Sequence, residues 1–448
     1  MSSKEHTTQA GNETPLIRAL LELEPTDAVL SERLEQCLLR SNGNAHHNTY
    51  LWQDAEWSRR ELDRTLERRA AAGGQTRGMT SGMELAGVPV SLKDCFDLAG
   101  TRTTLGSQFY AERNPVAPAD SWVAARLRGM GAVITGKTHL HALAYGITGE
   151  NRDYGDCVQP RNELWLTGGS SSGAVASVQE GSALAAIGTD TGGSVRVPAA
   201  LCGLVGYRSS LGWGSWEGGH HLAQSFDTIG WLFRHLEDAP LLARLFETEW
   251  KSATSSSTRF AYVDEAFLQD CEPEVKASLN ACVEELRELG MTGTEVRVPW
   301  WEEAQEIFAA VQAWEAARIH AEPVAGDFSV FEAPIQQRLE WGARITDDEI
   351  AALRQRHREF GARMGALVGE HELVVLPCAP VACLRAGEDH TSIRARLLRY
   401  TAPASLGGLP ALAVPFVAGG MQVLAANGSD ARLLTLAERM GQARRAAR

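Results

Sequence analysis

Between Leu85 and Leu236, short apolar segments alternate with segments rich in small residues. The apolar segments read GVPVSL, AVITG, SALAAIG and LVGYR, and each has the length of a β-strand. Strands that alternate in this way with helices are typical of a sheet covered on both faces. The sequence therefore predicts an α/β fold. A membrane span is not expected, because no apolar run in the sequence approaches the roughly 20 residues that are needed to cross a bilayer.

The segments on either side of this region are predicted to be mostly helical. The patterns predict helices at 16–23, 29–39 and 54–69, a Gly/Thr break at 72–80, strands at 260–263 and near 296, and a final helix from Ser429. We interpret 1–75 as an N-terminal helical layer. We interpret 76–448 as one domain that carries a variable, mainly helical insertion at about 237–368.

The composition disfavours several classes of protein. The 448 residues are 44% hydrophobic and 22% charged, as is typical of a globular protein. The net charge of −13 disfavours a nucleic-acid partner, because phosphate binding needs a cationic face. The polar N-terminus lacks the apolar stretch of a secretory signal, so we expect a cytoplasmic protein. The eight cysteines are too sparse for a disulfide scaffold, and we expect them to be apolar fillers.

Two motifs match known functional patterns only in form. Residues 131–138, GAVITGKT, fit the phosphate-binding G-x-x-x-x-G-K-[ST] pattern, but their four variable residues favour a strand where that motif needs a loop. Residues 169–173, GSSSG, fit the G-x-S-x-G nucleophile turn centred on Ser171, but the preceding RNELWLTG is a poor strand. A nucleotide-binding protein and a hydrolase of this second type stay open as alternatives.

Paired histidines raise the question of a metal site. The pairs are His46/His47, His139/His141 and His220/His221. None has a Cys, Asp or Glu partner at ligand spacing, and the chain has no HExxH motif. We therefore expect surface or packing histidines and no metal.

The stretch from Thr167 to Arg196 contains two separate Gly/Ser clusters. GGSSSG at 168–173 and DTGGS at 190–194 each stand where a helix can begin, so their free amides would point into one shared crevice. Such amides stabilise a developing oxyanion. Upstream, Lys93 ends the apolar run VPVSLK and is one of five lysines in the chain. Burial at that position would disfavour the charged form, so Lys93 could act as a base.

Together these three segments resemble the amidase signature family of serine hydrolases, over about residues 80–440. The resemblance rests on LAGVPVSLKD at 85–94, TGKTHLHALAYGITGENR at 135–152, GGSSSG at 168–173, DTGGSVRVPAALCGLVGYR at 190–208, SFDTIGWLFRHLED at 225–238, and the late segments LPCAP and YTAPASLGGLPALAVP. It implies an α/β/α sandwich with a large mixed central β-sheet covered by helices.

The resemblance also assigns roles to individual residues. Ser194 takes the role of nucleophile, Ser170 that of a bridging serine with a cis peptide bond before it, and Lys93 that of base. The oxyanion hole is expected to use the backbone amides of Thr191, Gly192, Gly193 and Ser194. Asp190 and Arg196 are expected to hold this loop in shape.

Other positions near the motifs are less clearly assigned. The loop reads GGSSSG where GGSSGG is commoner in the family, which places Ser172 near the site without an evident role. The segment 212–224, GWGSWEGGHHLAQ, is interpreted as a mobile lid over a non-polar substrate or as ordinary loop packing. The candidate substrate-binding residues are Tyr145, Gly146, Ile147, Trp213 and Trp216.

The resemblance implies an amidase, a hydrolase of carbon–nitrogen bonds that needs no cofactor. Aromatic residues in the helical insertion favour an uncharged substrate, so we predict small aryl or alkyl amides, with esters and carbamates (urethanes) as an extension. A ureide or carboxybiuret-type amide hydrolase and an inactive scaffold remain as alternatives. We expect a small-molecule substrate, no nucleic acid, no membrane, and a monomer or homodimer.

Overall fold

The computed structural model describes residues 16–22, 25–71, 82–246 and 258–447. Over these residues the chain forms one large sheet, a small side sheet and the helices that cover them. The polar N-terminus, the predicted break at 72–80 and the predicted boundary after residue 75 lie outside the described residues. Within the described ranges, no helix combines the length and the apolar character that a membrane span requires.

The α-helices are numbered in chain order. They are α1 (Ile17–Glu22), α2 (Asp27–Gly43), α3 (Ala55–Ala71), α4 (Gln108–Arg113), α5 (Trp122–Gly129), α6 (Ser172–Glu180), α7 (Arg196–Cys202), α8 (Ala239–Leu242), α9 (Pro273–Glu288), α10 (Ala304–Ala321), α11 (Ala333–Arg344), α12 (Asp347–His371), α13 (Ile393–Leu406) and α14 (Asp430–Ala446). The predicted N-terminal helices and the predicted C-terminal helix are confirmed as α1, α2, α3 and α14.

The β-strands are numbered in the same way. They are β1 (Tyr50–Trp52), β2 (Pro89–Lys93), β3 (Val133–Thr138), β4 (Val158–Gln159), β5 (Asn162–Leu166), β6 (Ala185–Asp190), β7 (Val205–Arg208), β8 (Thr228–Phe233), β9 (Arg259–Val263), β10 (Thr292–Val296), β11 (Leu373–Pro377), β12 (Leu384–Arg385), β13 (Ala411–Pro415) and β14 (Gly420–Ala425).

The large sheet is mixed, as the resemblance implied. Its strand order is β1-β3-β2-β6-β8-β7-β13-β14-β11-β9-β10. The runs β3-β2-β6 and β11-β9-β10 are parallel, and the other neighbours are antiparallel. Strand β1 from the predicted helical layer and strands β9 and β10 from the predicted insertion all join this sheet, so these segments share a core with the rest of the chain.

The centre of the sheet is covered closely because its strands and helices are built from small or apolar residues. Every residue of β2, β3, β6 and β8 is buried. Helix α6, SGAVASVQE, packs on the sheet through Ala174, Val175 and Val178. Its small side chains allow close approach of helix and sheet, which brings the Gly/Ser cluster at the start of α6 near the ends of β2 and β6.

The phosphate-loop interpretation of residues 131–138 is excluded by the structure. Three of its four variable residues, at 133–135, belong to strand β3, and its lysine, Lys137, is fully buried. Lys137 Nζ lies 2.6 Å from Asp94 Oδ1 and donates to Thr103 Oγ1 at 2.8 Å. A lysine paired in the core in this way cannot reach a bound phosphate. Its partner Asp94 follows Lys93 directly, so the ion pair instead fixes the end of β2.

The parallel pairing of β2 and β6 determines where the site forms. Leu92 of β2 pairs with Ile187 of β6, so the two strands end at the same edge of the sheet. The carboxyl ends of parallel strands are where ligand sites commonly form in open α/β sheets. Lys93 and Thr189 consequently meet at this edge.

Candidate active site

Lys93 is the fully buried last residue of β2. Its Nζ lies 2.8 Å from Ser170 Oγ, 2.8 Å from Thr189 Oγ1 and 3.1 Å from Ser171 Oγ. Burial lowers the pKa of Lys93 to about 8, and the charges of neighbouring acidic groups offset only part of this effect. A neutral amine donates two hydrogens and accepts one, so three hydroxyls satisfy it fully.

Ser170 lies in the GGSSSG cluster between β5 and α6, and the Gly169–Ser170 peptide bond is cis, as the resemblance implied. The Gly169 amide donates to the carbonyl of Ile147 at 2.8 Å. The Ser170 carbonyl accepts from the amide of His141 at 3.2 Å. These backbone bonds hold the loop in place while the Ser170 hydroxyl contacts Lys93.

Ser194 lies just before α7 and is 4% exposed. The amide of Ser171 donates to the Ser194 carbonyl at 3.2 Å, so the two Gly/Ser clusters lie side by side. The structure therefore brings Lys93, Ser170 and Ser194 to the same edge of the sheet, and their catalytic roles stay a prediction.

Asp190 organises the loop that carries Ser194. Its carboxylate accepts from Arg196 through Nε at 3.0 Å and Nη2 at 2.9 Å, and from Arg208 Nη1 at 3.0 Å, with all three side chains fully buried. Burial alone would raise the pKa of Asp190, but the two guanidinium groups outweigh it and hold that pKa well below its ordinary value. The carboxylate is therefore a permanent anion on which the loop is built.

Backbone amides of the same loop also bond to Asp190. The Gly193 amide donates to Oδ1 at 2.8 Å and the Val195 amide to Oδ2 at 3.2 Å. Because the Gly193 amide is already engaged, the predicted oxyanion hole is reduced to the amides of Thr191, Gly192 and Ser194. The structure thus leaves three of the four amides that the sequence predicts for the oxyanion hole.

The two glycines of this loop are required by its packing. Gly193 has a φ of +119°, a conformation that other residues rarely adopt. A Cβ at Gly192 would lie 2.5 Å from Phe308 Cζ of α10 and 3.1 Å from Leu398 Cδ2 of α13. The Thr401 hydroxyl, also on α13, donates to the Gly192 carbonyl at 2.5 Å. Helices α10 and α13 thus form the apolar wall beside the loop.

The segment 212–224 is hydrogen-bonded to the chain that follows Lys93. The amide of His220 donates to Cys95 O at 2.9 Å, and the amide of Asp97 donates to Gly218 O at 2.8 Å. These bonds are typical of a fixed wall, so the packing does not favour the mobile lid. Trp213 stacks on Phe246 with ring centroids 4.5 Å apart.

Trp216 is linked to the Ser194 loop through a chain of polar contacts. It stacks on His221 at 4.3 Å, and His221 Nδ1 lies 2.9 Å from Asp227 Oδ2. Asp227 Oδ1 in turn accepts from the Thr191 hydroxyl at 2.6 Å. Trp216, one of the two tryptophans predicted to bind substrate, is therefore connected to the Ser194 loop through His221 and Asp227.

Tyr145 is buried and precedes the segment that is hydrogen-bonded to the Ser170 loop. The chain passes from Tyr145 through Gly146 to Ile147, whose carbonyl accepts from the Gly169 amide at 2.8 Å. The guanidinium carbon of Arg338 lies 4.7 Å from the centroid of the Tyr145 ring, and that of Arg394 lies 5.7 Å from it. Neither arginine was identified from the sequence, since they lie on α11 and α13.

The chain is similar to known proteins over most of its length. Residues 34–434 match the family described as Amidase. The chain belongs to the amidase signature family. It is therefore a hydrolase acting on carbon–nitrogen bonds. The nucleotide-binding alternative is set aside by this match and by the buried position of Lys137.

Three relatives illustrate the range of this family. The chain is 32% identical to a glutamyl-tRNA(Gln) amidotransferase subunit of Deinococcus radiodurans, over 84% of this chain and 88% of that protein. It is 30% identical to the 2-amino-5-chloromuconic acid deaminase of Comamonas testosteroni, over 79% and 80%. A crystal structure of an amidase superposes with a TM-score of 0.84 at 30% identity, covering 96% of this chain and 98% of that one.

In this amidase Ser172 and Ser171 have neighbouring but different surroundings. Ser172 Oγ lies 2.8 Å from Nδ1 of His139, and burial lowers the pKa of His139 to about 4. Ser172 therefore contacts a histidine that is neutral and packed in the core. Ser171 contacts Lys93 but follows β5, a strand of the side sheet β12-β5-β4, whereas the nucleophile turn of α/β hydrolases leaves the main sheet. The segment RNELWLTG, predicted to be a poor strand, does contain β5.

The fold brings the first histidine pair to an acidic residue that sequence spacing does not reveal. His46 Nε2 and His47 Nε2 lie 2.9 Å and 3.2 Å from Glu163 Oε1, so this pair does have an acidic partner. Glu163 is more than a hundred residues away in sequence, and spacing could not reveal it. The cysteines behave as expected: all eight are free, and seven are buried.

Several residues of the site were missed by sequence reasoning. They are Thr189, Arg208, Asp227 and Thr401, together with Arg338 and Arg394. Thr189 had a local signal, because it directly precedes the DTGGS motif at the end of a predicted strand. Arg208, Asp227 and Thr401 lie within segments that carry the family resemblance, but the resemblance gave them no role. Arg338 and Arg394 lie outside those segments and had no local signal.

Proposed function

We propose that this amidase hydrolyses small amides through an acyl-enzyme on Ser194, with Lys93 as the base and Ser170 as the relay. The observation that carries the proposal is the buried Lys93 amine, with a pKa lowered to about 8, at 2.8 Å from Ser170 Oγ. A base with a pKa near the working pH is effective in general acid–base catalysis. The short contact supplies the path for its proton.

The reaction proceeds in two stages. In the first, Lys93 takes the proton of Ser170 while Ser170 takes that of Ser194, and Ser194 Oγ attacks the carbonyl carbon. The negative charge that develops on the carbonyl oxygen is stabilised by amides of the Ser194 loop. The carbon–nitrogen bond then breaks, and the relay returns the proton to the departing amine. In the second stage, water attacks the acyl-enzyme with the same relay and releases the acid.

The apolar wall supports aryl or alkyl groups as part of the substrate. Phe308 and Leu398 lie against Gly192, next to the reacting carbonyl in the proposed mechanism. By contrast, Trp300 and Trp314 of the insertion are packed against Phe360 and Arg318, so they do not account for substrate preference as the sequence suggested. Esters and carbamates are included in the proposal, because their carbonyl fits the same oxyanion hole.

We propose a small molecule as the substrate and not an aminoacyl-tRNA. The net charge of −13 disfavours binding to a phosphate backbone. One relative is named as part of a tRNA amidotransferase, but another is named for a small organic acid, 2-amino-5-chloromuconic acid. The family therefore includes members with substrates of the size proposed here.

A matched set of 4-nitroanilides, aryl esters, aryl carbamates and aryl ureas with the same acyl chain tests this function. We expect release of 4-nitroaniline by the wild-type protein, with ester cleavage at least as fast, because an ester has the better leaving group. The absence of turnover on all four classes would contradict the proposal, and so would equal turnover by the Ser194→Ala variant.

The pH dependence of kcat/KM tests Lys93 separately. Because the neutral amine is the active form, we expect kcat/KM to rise about tenfold per pH unit at acidic pH and to level off above pH 8. Initial rates on a non-ionising anilide between pH 5.5 and 9.5 measure this profile. An inflection near pH 6.5, where histidines ordinarily titrate, would contradict the assignment.

A further inference from the structure

Arg338 of α11 and Arg394 of α13 form a cationic pair at the ring of Tyr145. Both side chains are half-buried. Among the residues that the structure describes, neither arginine has a carboxylate within 4.0 Å, although most buried cations in proteins are paired. Two like charges on one ring are unfavourable by themselves, and the Glu332 carboxylate, which acts on Arg338, lies beyond ion-pair distance, so the pair needs an explanation.

Most of the hydrogen-bond donors of the pair are not used within the described chain. Arg338 donates through Nη2 to the carbonyl of Tyr145 at 2.6 Å, and its Nε is buried without an acceptor. Arg394 donates through Nη2 to Gln312 Oε1 at 2.8 Å. A guanidinium has five N–H donors in a planar fork, which fits a carboxylate with two parallel bonds.

The electrostatics of the pair favour binding of an anion. Burial and the charge of Arg338 together lower the pKa of Arg394 to about 9, and burial also lowers the pKa of Arg338. An anion bound between the two guanidinium groups would remove this mutual repulsion and favour their charged forms.

Arg394 and its hydrogen-bond partner Gln312 each lie one helical turn from a side chain that contacts the Ser194 loop. On α13, Arg394 precedes Leu398 by four residues, and Leu398 lies against Gly192. On α10, Gln312 follows Phe308 by four residues, and Phe308 also lies against Gly192. One turn of helix rises about 5.4 Å. A group bound by the arginines would therefore lie within the length of a small molecule from the reacting carbonyl.

We propose that Arg338 and Arg394 form a subsite for a carboxylate of the substrate, so that the preferred amides are anionic. This inference rests on the proposed function and replaces the expectation of an uncharged substrate. The sequence left open a ureide or carboxybiuret-type amide hydrolase as an alternative. A ureide that carries a carboxylate is also an anionic amide. Phe308 and Leu398 then contact the apolar part of the substrate between its carboxylate and its scissile bond.

The test compares 4-nitroanilides that end in a carboxylate with isosteric neutral ones. One matched pair is N-(4-nitrophenyl)glutaramic acid and N-(4-nitrophenyl)-5-methylhexanamide, and shorter and longer chains vary the distance. Amides of 4-aminobenzoic acid and of 4-isopropylaniline make the same comparison on the amine side. We expect kcat/KM to favour one acid over its neutral partner by about 30-fold or more.

The variants Arg338→Met and Arg394→Met are expected to lower this ratio to near one. The ratio is the decisive quantity, because a merely structural role would lower both rates together. Arg354→Met is the matched control: Arg354 also lies over an aromatic ring, that of Trp314, but it is paired with Glu315 at 3.8 Å. Its ratio should equal that of the wild-type protein.

The outcomes separate this inference from the proposed function. Hydrolysis of neutral anilides without preference for any acid, or a preference that survives in both arginine variants, would overturn the subsite and leave the function standing. If none of the four substrate classes is hydrolysed, the proposed function fails, and calorimetric titration of the acid into Ser194→Ala still tests the subsite. Binding that is lost in the Arg394→Met background supports the subsite, and binding that is unchanged there overturns it.

Discussion

Replacement of Ser194 by alanine is expected to lower kcat/KM for anilides by at least about 10⁴-fold. In the proposed mechanism this hydroxyl forms the bond to the acyl group, and no other group takes its place. Ser171 is too firmly bound to do so, since its hydroxyl contacts Lys93 at 3.1 Å and donates to Thr189 O at 3.2 Å. Steady-state rates of 4-nitroaniline release measure the loss.

The matched control for this variant is Ser329→Ala, at an exposed serine of the insertion. We expect it to retain wild-type rates. Urea denaturation should show that Ser194→Ala keeps its free energy of unfolding within about 1 kcal/mol, because one hydroxyl is lost without a change in packing. A stable Ser194→Ala protein that keeps more than a tenth of the wild-type kcat/KM would exclude Ser194 as the nucleophile.

Lys93→Met is expected to lower kcat/KM by about 10³-fold or more, because the relay then has no final proton acceptor. The methionine fills the volume of the lysine stem within the fully buried site. The same initial-rate assay measures the effect, and the residual activity should lose the rise of kcat/KM toward pH 8. Lys276→Met, at a lysine paired with Glu265 on the surface, is the control and should be fully active.

Lys93→Arg distinguishes a base from a fixed positive charge. A guanidinium keeps its charge but does not release its proton at ordinary pH. If Lys93 acts as the base, the arginine variant is as inactive as the methionine variant. Substantial activity in Lys93→Arg, with circular dichroism showing an intact fold for both variants, would mean that Lys93 serves only as a cation.

The parts of the fold that the sequence predicts are those with local causes. Strands β2, β3 and β6 are buried throughout, so each reads as a short apolar run bounded by glycine or polar residues. The starts of α6 and α7 were marked by Gly/Ser clusters. The same runs, however, gave no indication of the eleven-strand order, because pairing such as that of β13 with β7 joins segments about two hundred residues apart.

The residues of the site also divide into those that local motifs locate and those that only the folded chain brings together. Lys93, Ser170 and Ser194 were located by motifs that place each on a strand end or a tight loop. The charge partner Arg208 and the anchor Thr401 were missed, since they act through contacts with Asp190 and Gly192 that only the folded chain creates. Arg338 and Arg394 were missed for the same reason. Without them, the sequence led to the expectation of an uncharged substrate.

The most direct test of the proposed mechanism is peptide mass spectrometry after reaction with an aryl fluorophosphonate. The mechanism predicts one phosphonyl group per chain, located on Ser194, with labelling abolished in Ser194→Ala and strongly slowed in Lys93→Met. A label on Ser170 or Ser171 in the wild-type protein, or undiminished labelling of the Ser194→Ala variant, would contradict it.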